Sequence, residues 1–111
     1  MKRLLIDENI PRQLAPLFHD AFQVTLVYDS PWAGAKNGEL VRAITGNVDI
    51  LLTCDQSIRY QQNLSALSFG IVVLAGRSNR LDDLLPLVGT ARLALERVRA
   101  GEVVEVRAST T

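Results

Sequence analysis

The chain has few of the residues that mark a secreted, redox-active or histidine-dependent protein. Its 111 residues include one cysteine, Cys54, and one histidine, His19. A single cysteine excludes an intramolecular disulfide, and the sequence pairs no Ser or Cys with His19 for a nucleophilic triad. A Gly-rich phosphate loop of the Walker or dinucleotide type is also missing. Triad chemistry and nucleotide cofactors are therefore unsupported, and His19 is expected on the surface.

The chain also lacks an excess of either charge and any long apolar run. Twelve basic and twelve acidic side chains cancel, so binding to nucleic acid would depend on a local patch of cations. The sequence shows no signal-peptide pattern and no apolar segment of bilayer-spanning length. These absences predict a cytoplasmic protein with no membrane partner.

What the chain does contain is a series of short aliphatic bursts, which are typical of β-strands. Three of them, "LLI", "ILL" and "IVVL", are unbroken, as expected for strands buried on both faces of a parallel sheet. The bursts alternate with segments of helical length, so the pattern predicts a three-layer α/β/α sandwich with a central, mainly parallel sheet of about five strands. The predicted strands are residues 3–6, 24–28, 50–53, 70–75 and 103–106, and the predicted helices are residues 11–20, 37–45, 57–67 and 81–99.

The segments form one domain without a linker or an internal repeat. Residues 1–107 are expected to make this domain, and residues 108–111 are expected to be a disordered tail. Pro86 lies inside the last predicted helix and removes one backbone donor, so a kink or a break is expected there.

Acidic side chains follow two of the predicted strands at the point where each strand ends. Asp7 follows "LLI" and Asp55 follows "ILLTC". Ligands of open parallel sheets bind outside the carboxyl ends of the strands, so the two acids would face each other if their strands are neighbours. Their repulsion would be relieved by a hard divalent cation such as Mg²⁺ or Mn²⁺. Glu39, early in the second predicted helix, could reach the same edge and complete a three-carboxylate constellation.

Each acid also has an ordinary structural interpretation. Asp7 and Glu8 are adjacent and would point to opposite faces of a strand, so one of them is expected in the site, and Asp7 is preferred. Glu39 could be a solvated residue near a helix N-terminus. Asp55 could be the N-cap of the helix that begins near Ser57. Asp29, in "VYDSPW", is typical of a turn and is left out of the site.

Four segments together resemble the compact PIN-like family, and specifically its small stand-alone members, which are similar to VapC-type toxins and to the Mut7-C nuclease domain. The segments are "LLIDENIPRQL", "GAKNGELVRAI", "DILLTCD" and "GIVVL", and they cover nearly the whole chain in order. The resemblance implies a PIN-like domain with an acidic pocket that binds Mg²⁺ or Mn²⁺ and hydrolyses phosphodiester bonds in RNA. By position, it implies Asp7, Glu39 and Asp55 as catalytic and metal-binding residues, with Asn9, Thr53 and Ser57 in supporting places.

The sequence departs from the family pattern at two places. Many relatives carry a further Asp and a Phe where this chain has Ser57 and Ile58, so the expected fourth carboxylate is missing. Lys36 and Asn37 stand before Glu39, where relatives often carry an acid. Three acids hold less negative charge than four, which leaves open whether one or two metal ions bind and whether the site is active.

The resemblance also implies partners, namely RNA, a small antitoxin protein and a second copy of the chain in a homodimer. Four cations are predicted near the same edge of the sheet and could hold phosphates, or they could be an ordinary solvated surface. They are Arg12, Lys36, Arg42 and Arg59.

Three functions are consistent with these patterns. The leading hypothesis is a metal-dependent endoribonuclease, the toxin component of a toxin–antitoxin module. The second is a catalytically degenerate PIN-like module that binds nucleic acid or protein. The third is a receiver-like phosphoacceptor domain, which also has acids after strands one and three but needs a Lys after the fifth strand, and "VVEVRAST" contains none.

Overall fold

The centre of the molecule is a sheet of five parallel strands. In the computed structural model, which describes residues 1–61 and 63–108 and omits the side chain of Asn37, the strands run in the order β2-β1-β3-β4-β5. The predicted α/β class and the parallel sheet of five strands are confirmed. The strands are β1 Lys2–Ile6, β2 Phe22–Leu26, β3 Ile50–Thr53, β4 Gly70–Ala75 and β5 Val103–Arg107.

Both faces of the sheet are covered, which gives three layers. Each face has its own apolar core, and β3 and β4 are buried along their whole length because they lie in the middle of the sheet. The α-helices are α1 Asn37–Ile44, α2 Leu81–Leu84 and α3 Val88–Arg97. The 3₁₀ segments are Arg12–Phe18, Val27–Asp29, Gln56–Tyr60, Leu64–Ala66 and Leu85–Leu87.

The connection between β4 and β5 determines which face of the sheet is covered by helices and which is covered largely by short turns. The β1–β2 and β4–β5 connections pack on the same face but run in opposite directions along the sheet, so they have opposite hands. We call this the helical face, because α2 and α3 lie on it. The other face is covered by α1, by Trp32 and by the short turns after β3, and we call it the turn face. Beside β4 and β5 the turn face therefore carries 3₁₀ turns in place of a long helix.

The first and third of the four predicted helices differ from the prediction. The first is a 3₁₀ helix with Pro16 inside it, and a proline has no N–H to donate to a regular ladder. The predicted helix at 57–67 is replaced by the two short segments Gln56–Tyr60 and Leu64–Ala66, separated by Asn63 in the left-handed conformation. Residue 62 lies outside the described residues. A left-handed residue cannot continue a right-handed helix, so the segment stays irregular.

Two further boundaries differ from the prediction. β2 begins and ends two residues earlier than expected, because the chain enters a 3₁₀ turn at Val27, so Tyr28 and Asp29 leave the sheet. Ala108 packs against the core of the helical face and is not part of a loose tail, while residues 109–111 lie outside the described residues.

The last predicted helix is interrupted where expected. A 3₁₀ turn with Pro86 inside it separates α2 from α3. The missing backbone donor of proline accounts for the break. Across residues 1–61 and 63–108, none of the helices is long and apolar enough to cross a membrane.

Candidate active site

The two strands that end in aspartate are neighbours. β1 pairs with β3 in parallel from Leu4 opposite Ile50 to Ile6 opposite Leu52. The N–H of Asp7 extends this pairing and donates to the carbonyl of Leu52 at 2.9 Å. The chain leaves β1 for β2 on one side and returns to β3 on the other, so the strand order reverses at this point. Such a switch point is where open α/β sheets bind ligands.

A cavity of about 500 Å³ opens at the carboxyl ends of these strands. It is lined by three acidic side chains, one cation and several neutral polar groups. Asp7 and Asp55, which the sequence predicted to face each other, therefore share one cavity. The lining residues are Asp7, Glu8, Asn9, Ala35, Lys36, Cys54, Asp55, Gln56, Ser57 and Asn79.

Thr53 links the ends of the two strands through a single hydroxyl. This residue is fully buried, and its Oγ1 donates to Oδ2 of Asp7 at 2.7 Å. The same oxygen accepts from Nδ2 of Asn9 at 3.3 Å and from the backbone N–H of Asp55 at 3.0 Å. A hydroxyl has one donor and two acceptor sites, and all three are used. Thr53 thus fixes the position of Asp7 relative to Asp55.

Asn9 reinforces the same link. Its Oδ1 accepts from the backbone N–H of Cys54 at 3.0 Å, and its Nδ2 donates to Thr53. One side chain after β1 therefore ties down both the last residue of β3 and the residue that follows it. The supporting positions that the resemblance implies for Asn9 and Thr53 coincide with this hydrogen-bond network.

Asp7 is a partly buried acid with raised proton affinity. Burial raises the pKa of its carboxyl group above the ordinary value, and the neighbouring charges of Asp55 and Glu8 raise it further. The hydrogen bonds from Thr53 and from the N–H of Glu8, at 2.8 Å, act in the opposite direction without reversing the shift. A bound cation would favour the ionised form that this site otherwise disfavours.

Asp55 is a helix N-cap that also lines the cavity. It is the N-cap of the Gln56–Tyr60 segment, and its Oδ1 accepts from the N–H and the hydroxyl of Ser57 at 3.0 and 2.6 Å. The capping interpretation is confirmed, and Ser57 supports Asp55. Asp55 also lines the cavity, and no hydrogen bond joins its Oδ2 to another of the described residues. One oxygen holds the turn and the other is available to a ligand.

Glu39 lies apart from these two acids. It is exposed in the first turn of α1 and does not line the cavity. Lys36, immediately before the helix, lines the cavity instead, so this connection presents a cation to the site. The described residues contain no group of three His, Cys, Asp or Glu side chains placed to hold a metal ion together. The structure therefore brings together two members of the expected constellation.

Five lining residues were not predicted as parts of the site, namely Glu8, Ala35, Cys54, Gln56 and Asn79. Hydrogen bonds hold both the side chain and the backbone of Glu8. Its Oε1 accepts from the N–H of Gly34 at 2.8 Å, and its backbone oxygen accepts from the hydroxyl of Tyr28 at 3.0 Å. Asn79 lies in the loop after β4, and its position beyond a strand's carboxyl end was the available signal. Burial, followed by the charge of Asp7, raises the pKa of Cys54 to about 12, so its thiol is neutral.

Two of the four predicted phosphate-binding cations have carboxylate partners and two do not. Nη2 of Arg12 lies 3.9 Å from Oδ1 of Asp29, and the guanidinium carbon of Arg12 lies 5.3 Å from the centre of the Tyr28 ring. Arg59 forms a 2.8 Å ion pair with Glu105. Lys36 and Arg42 form no ion pair with any other described residue. Of the four cations, Lys36 lines the acidic cavity and the other three do not.

The comparisons with known proteins gave no neighbour from which a role could be transferred to these residues. No protein-family model, no curated protein and no solved structure matches the chain. The interpretation of the cavity therefore rests on the chemistry of its own side chains.

Proposed function

We propose that the protein is a metal-dependent endoribonuclease that hydrolyses phosphodiester bonds, and that it is the toxin component of a toxin–antitoxin module. One observation carries the proposal: Asp7 and Asp55 line a single cavity at the switch point of the sheet. Neither acid forms an ion pair with another of the described residues. Two such carboxylates repel an anionic ligand but bind a divalent cation. A phosphate group could then bind at the site through that cation.

The available oxygens suit Mg²⁺ or Mn²⁺. Asp7 and Asp55 would be the protein ligands, because each retains acceptor capacity beyond its internal hydrogen bonds. Mg²⁺ commonly binds through one or two carboxylates and keeps several of its waters, so a pair of acids is sufficient. Glu39 remains a catalytic and metal-binding candidate through the resemblance alone.

The side chains of the cavity have distinct tasks in this proposal. Asp7 and Asp55 bind the cation, Thr53 and Asn9 keep the two strand ends in register, and Ser57 holds Asp55. When bound, the ion would lower the pKa of the attacking water and balance negative charge on the leaving oxygen. Lys36 would hold a phosphate oxygen at the wall of the same cavity.

The RNA substrate, the cytoplasmic location, the antitoxin protein and the homodimer belong to this proposal through the PIN-like resemblance. Arg42 is the second cation available for phosphate, since Arg12 and Arg59 already have carboxylate partners. The overall charge is balanced, so we expect binding to RNA to depend on these few side chains and on the acidic cavity.

A cleavage assay tests the proposal directly. We expect cleavage of labelled RNA by the purified protein in Mg²⁺ or Mn²⁺, and none in EDTA. Asp7→Asn and Asp55→Asn should each lower the rate by roughly 100-fold or more, beyond the 10- to 100-fold typical of groups that only support metal ligands. Asn is a good N-cap, so Asp55→Asn should keep the turn after β3.

Asp49→Asn is the matched control, because it removes an aspartate at the opposite edge of the same two strands. Its cleavage rate should equal that of the wild type. Metal-dependent cleavage that survives both Asp7→Asn and Asp55→Asn would reject the site.

A second candidate is a PIN-like module that binds nucleic acid or protein without turnover. The exposed position of Glu39 and the lack of a three-ligand group among the described residues favour it. RNA binding with no cleavage across several metals and substrates would support this candidate, whereas turnover at stoichiometric metal would exclude it.

The strand order gives some weight to a third candidate, the receiver-like phosphoacceptor. The order β2-β1-β3-β4-β5, with acids after β1 and β3, is shared with doubly wound domains of that type. At the end of β5, however, stands Arg107, which pairs with Glu105, and not a lysine directed at a phosphoryl group. If Asp55 takes up no phosphate from a small phosphodonor, as measured by intact-protein mass, this candidate is removed.

A further inference from the structure

Tyr60 is the most exposed aromatic side chain in the described part of the chain. It is 76% exposed, compared with 47% for Tyr28, while Trp32 is partly buried. The guanidinium carbon of Arg59 lies 5.4 Å from the centre of the Tyr60 ring. The ring thus has a cation over one of its faces, and most of the rest of its surface is exposed to solvent.

The helical geometry places Tyr60 beside the acidic cavity. The Gln56–Tyr60 segment is a 3₁₀ helix, in which side chains three residues apart lie on the same side. Ser57 lines the cavity, so Tyr60 continues the same side one turn further on. One 3₁₀ turn rises about 6 Å, which is on the scale of the spacing between successive nucleotides of an extended strand.

Arg59 is held in place by a partly buried acid. Its Nη1 donates to Oε2 of Glu105 at 2.8 Å, and the Glu105 side chain is only 12% exposed. Arg107 pairs with the other carboxylate oxygen of Glu105. Glu105 lies on β5, where no long helix covers the turn face. The Arg59–Glu105 ion pair therefore joins the Gln56–Tyr60 segment directly to the sheet.

We propose that Tyr60, positioned by Arg59 and Glu105, is a base-stacking platform that selects single-stranded RNA at the acidic cavity. The inference rests on the proposed nuclease function and names the substrate class for it. In a duplex, the faces of the bases are covered by their neighbours, whereas an unpaired base offers its face to an aromatic ring. A strand whose phosphate enters the cavity beside Ser57 would place a neighbouring base against Tyr60.

Binding without turnover tests the platform. We expect a labelled short single-stranded RNA to bind the full chain in EDTA, measured by fluorescence anisotropy, and to bind more tightly than its duplex. Tyr60→Ala should weaken single-strand binding by roughly 5- to 150-fold, which corresponds to a stacking contribution of about 1–3 kcal/mol. Tyr60→Phe keeps the aromatic face and should restore the affinity.

Leu93→Ala is the matched control. It removes an exposed apolar side chain from α3, on the helical face of the molecule. We expect its affinity for single-stranded RNA to equal that of the wild type. An equal loss in Tyr60→Ala and Leu93→Ala would show that lost apolar surface, and not stacking, causes the effect.

The salt dependence of binding separates positioning from phosphate contact. Arg59→Gln should weaken binding while the slope of log K against log salt stays unchanged, because the guanidinium is held in the ion pair with Glu105 and does not contact a phosphate. Arg42→Gln should reduce that slope by about 0.7, the value for one phosphate contact on a single strand. A reduced slope in Arg59→Gln would instead assign this side chain to phosphate.

Photocrosslinking with 5-iodouridine RNA gives a readout that does not depend on a folded variant. We expect the wild-type protein to crosslink at Tyr60. Failure of the wild-type chain to bind single-stranded RNA, a crosslink elsewhere, or equal affinity of Tyr60→Ala and wild type would overturn the platform. If Tyr60 fails while Asp7→Asn still abolishes cleavage, the nuclease proposal stands; Tyr60-dependent binding without metal-dependent cleavage would instead reject the nuclease.

Discussion

Two aspartates at opposite ends of the paired strands β1 and β3 have opposite environments. We call the end where the strands begin the amino edge and the end where they finish the carboxyl edge. Asp49, just before β3, accepts hydrogen bonds from the N–H of Arg3 at 2.7 Å and from the Arg3 side chain at 3.2 and 3.3 Å. The guanidinium and then the backbone N–H of Arg3 hold the pKa of Asp49 below its usual value. Asp7, just after β1, has other acids beside it and a pKa shifted upward.

The difference separates an acid that stabilises the fold from one that is kept available. At the amino edge, the charge of Asp49 is neutralised within the protein and the strands are tied together. At the carboxyl edge, hydrogen bonds hold Asp7 in place, but its charge is left uncompensated, and this costs stability at neutral pH. Such a cost is common where a site is built for a ligand.

The largest effect should come from removing the hydroxyl that holds the carboxyl edge together. Thr53→Val keeps the buried volume but leaves Asp7, Asn9 and the N–H of Asp55 without a shared partner. We expect a loss of about 3 kcal/mol of unfolding free energy in urea, on the order of 1 kcal/mol for each group.

Thr45→Val is the control for this change, because Thr45 makes one side-chain hydrogen bond, to the carbonyl of Val41. It should cost about 0.5–1 kcal/mol. If the two valine variants unfold at the same urea concentration, Thr53 does not have the linking role described above.

A divalent cation should neutralise the charge at the carboxyl edge, as Arg3 already neutralises Asp49 at the amino edge, and should thereby stabilise the fold. Mn²⁺ or Mg²⁺ at about 100 times its dissociation constant should raise the unfolding free energy by about 2.7 kcal/mol. The binding should tighten as pH rises through the raised pKa of Asp7, because the proton and the cation compete for the same carboxylate. Thermal shift assays in both metals, with Asp7→Asn as the comparison, measure this, and an equal shift in the variant would contradict it.

Asp7→Asn should stabilise the metal-free protein at neutral pH, by up to about 1 kcal/mol. A raised pKa means that the folded state binds the proton more tightly than the unfolded chain does. Stability therefore falls as pH rises from the ordinary value of 3.8 through the raised pKa. Unfolding measured across this range should show that loss in the wild type and not in Asp7→Asn, and a variant less stable than the wild type at neutral pH would speak against it.

Asp49→Asn should have the smallest effect and the opposite sign. The pair with Arg3 is largely exposed, so we expect a loss of about 0.5 kcal/mol at neutral pH. Because the pKa of Asp49 is lowered, its contribution is present above pH 3.8 and disappears as pH falls through the lowered value. The wild type and the variant should therefore converge in acid, which chemical unfolding at several pH values can test.

The strands and the meeting of Asp7 with Asp55 could be predicted from sequence. Unbroken aliphatic runs mark central parallel strands, and a residue that follows such a run has to emerge at the carboxyl edge. Both inferences depend on local patterns and on one general rule of topology. The hydrogen bonds among Asn9, Thr53 and Asp7 then follow from the adjacency of two strands.

The rest depends on how loops enter and leave the sheet. The predicted helix at 57–67 required residue 63 to stay right-handed, and no local pattern shows that Asn63 does not. The side-chain direction of Glu39 depends on where α1 begins, which is set by packing of the preceding loop. Glu8 and Asn79 join the cavity through loop conformation, which residue type alone does not determine.

The pairing of β1 with β3 also has a consequence for how the molecule acquires its cavity during synthesis. Leu4 lies opposite Ile50, the widest separation in sequence among the strand pairs of this sheet. Contacts between distant residues form late and slowly, because a long loop has to close first. A growing chain would therefore carry Asp7 long before Asp55 is added, so the two acids could not meet until β3 had been made and had left the ribosome.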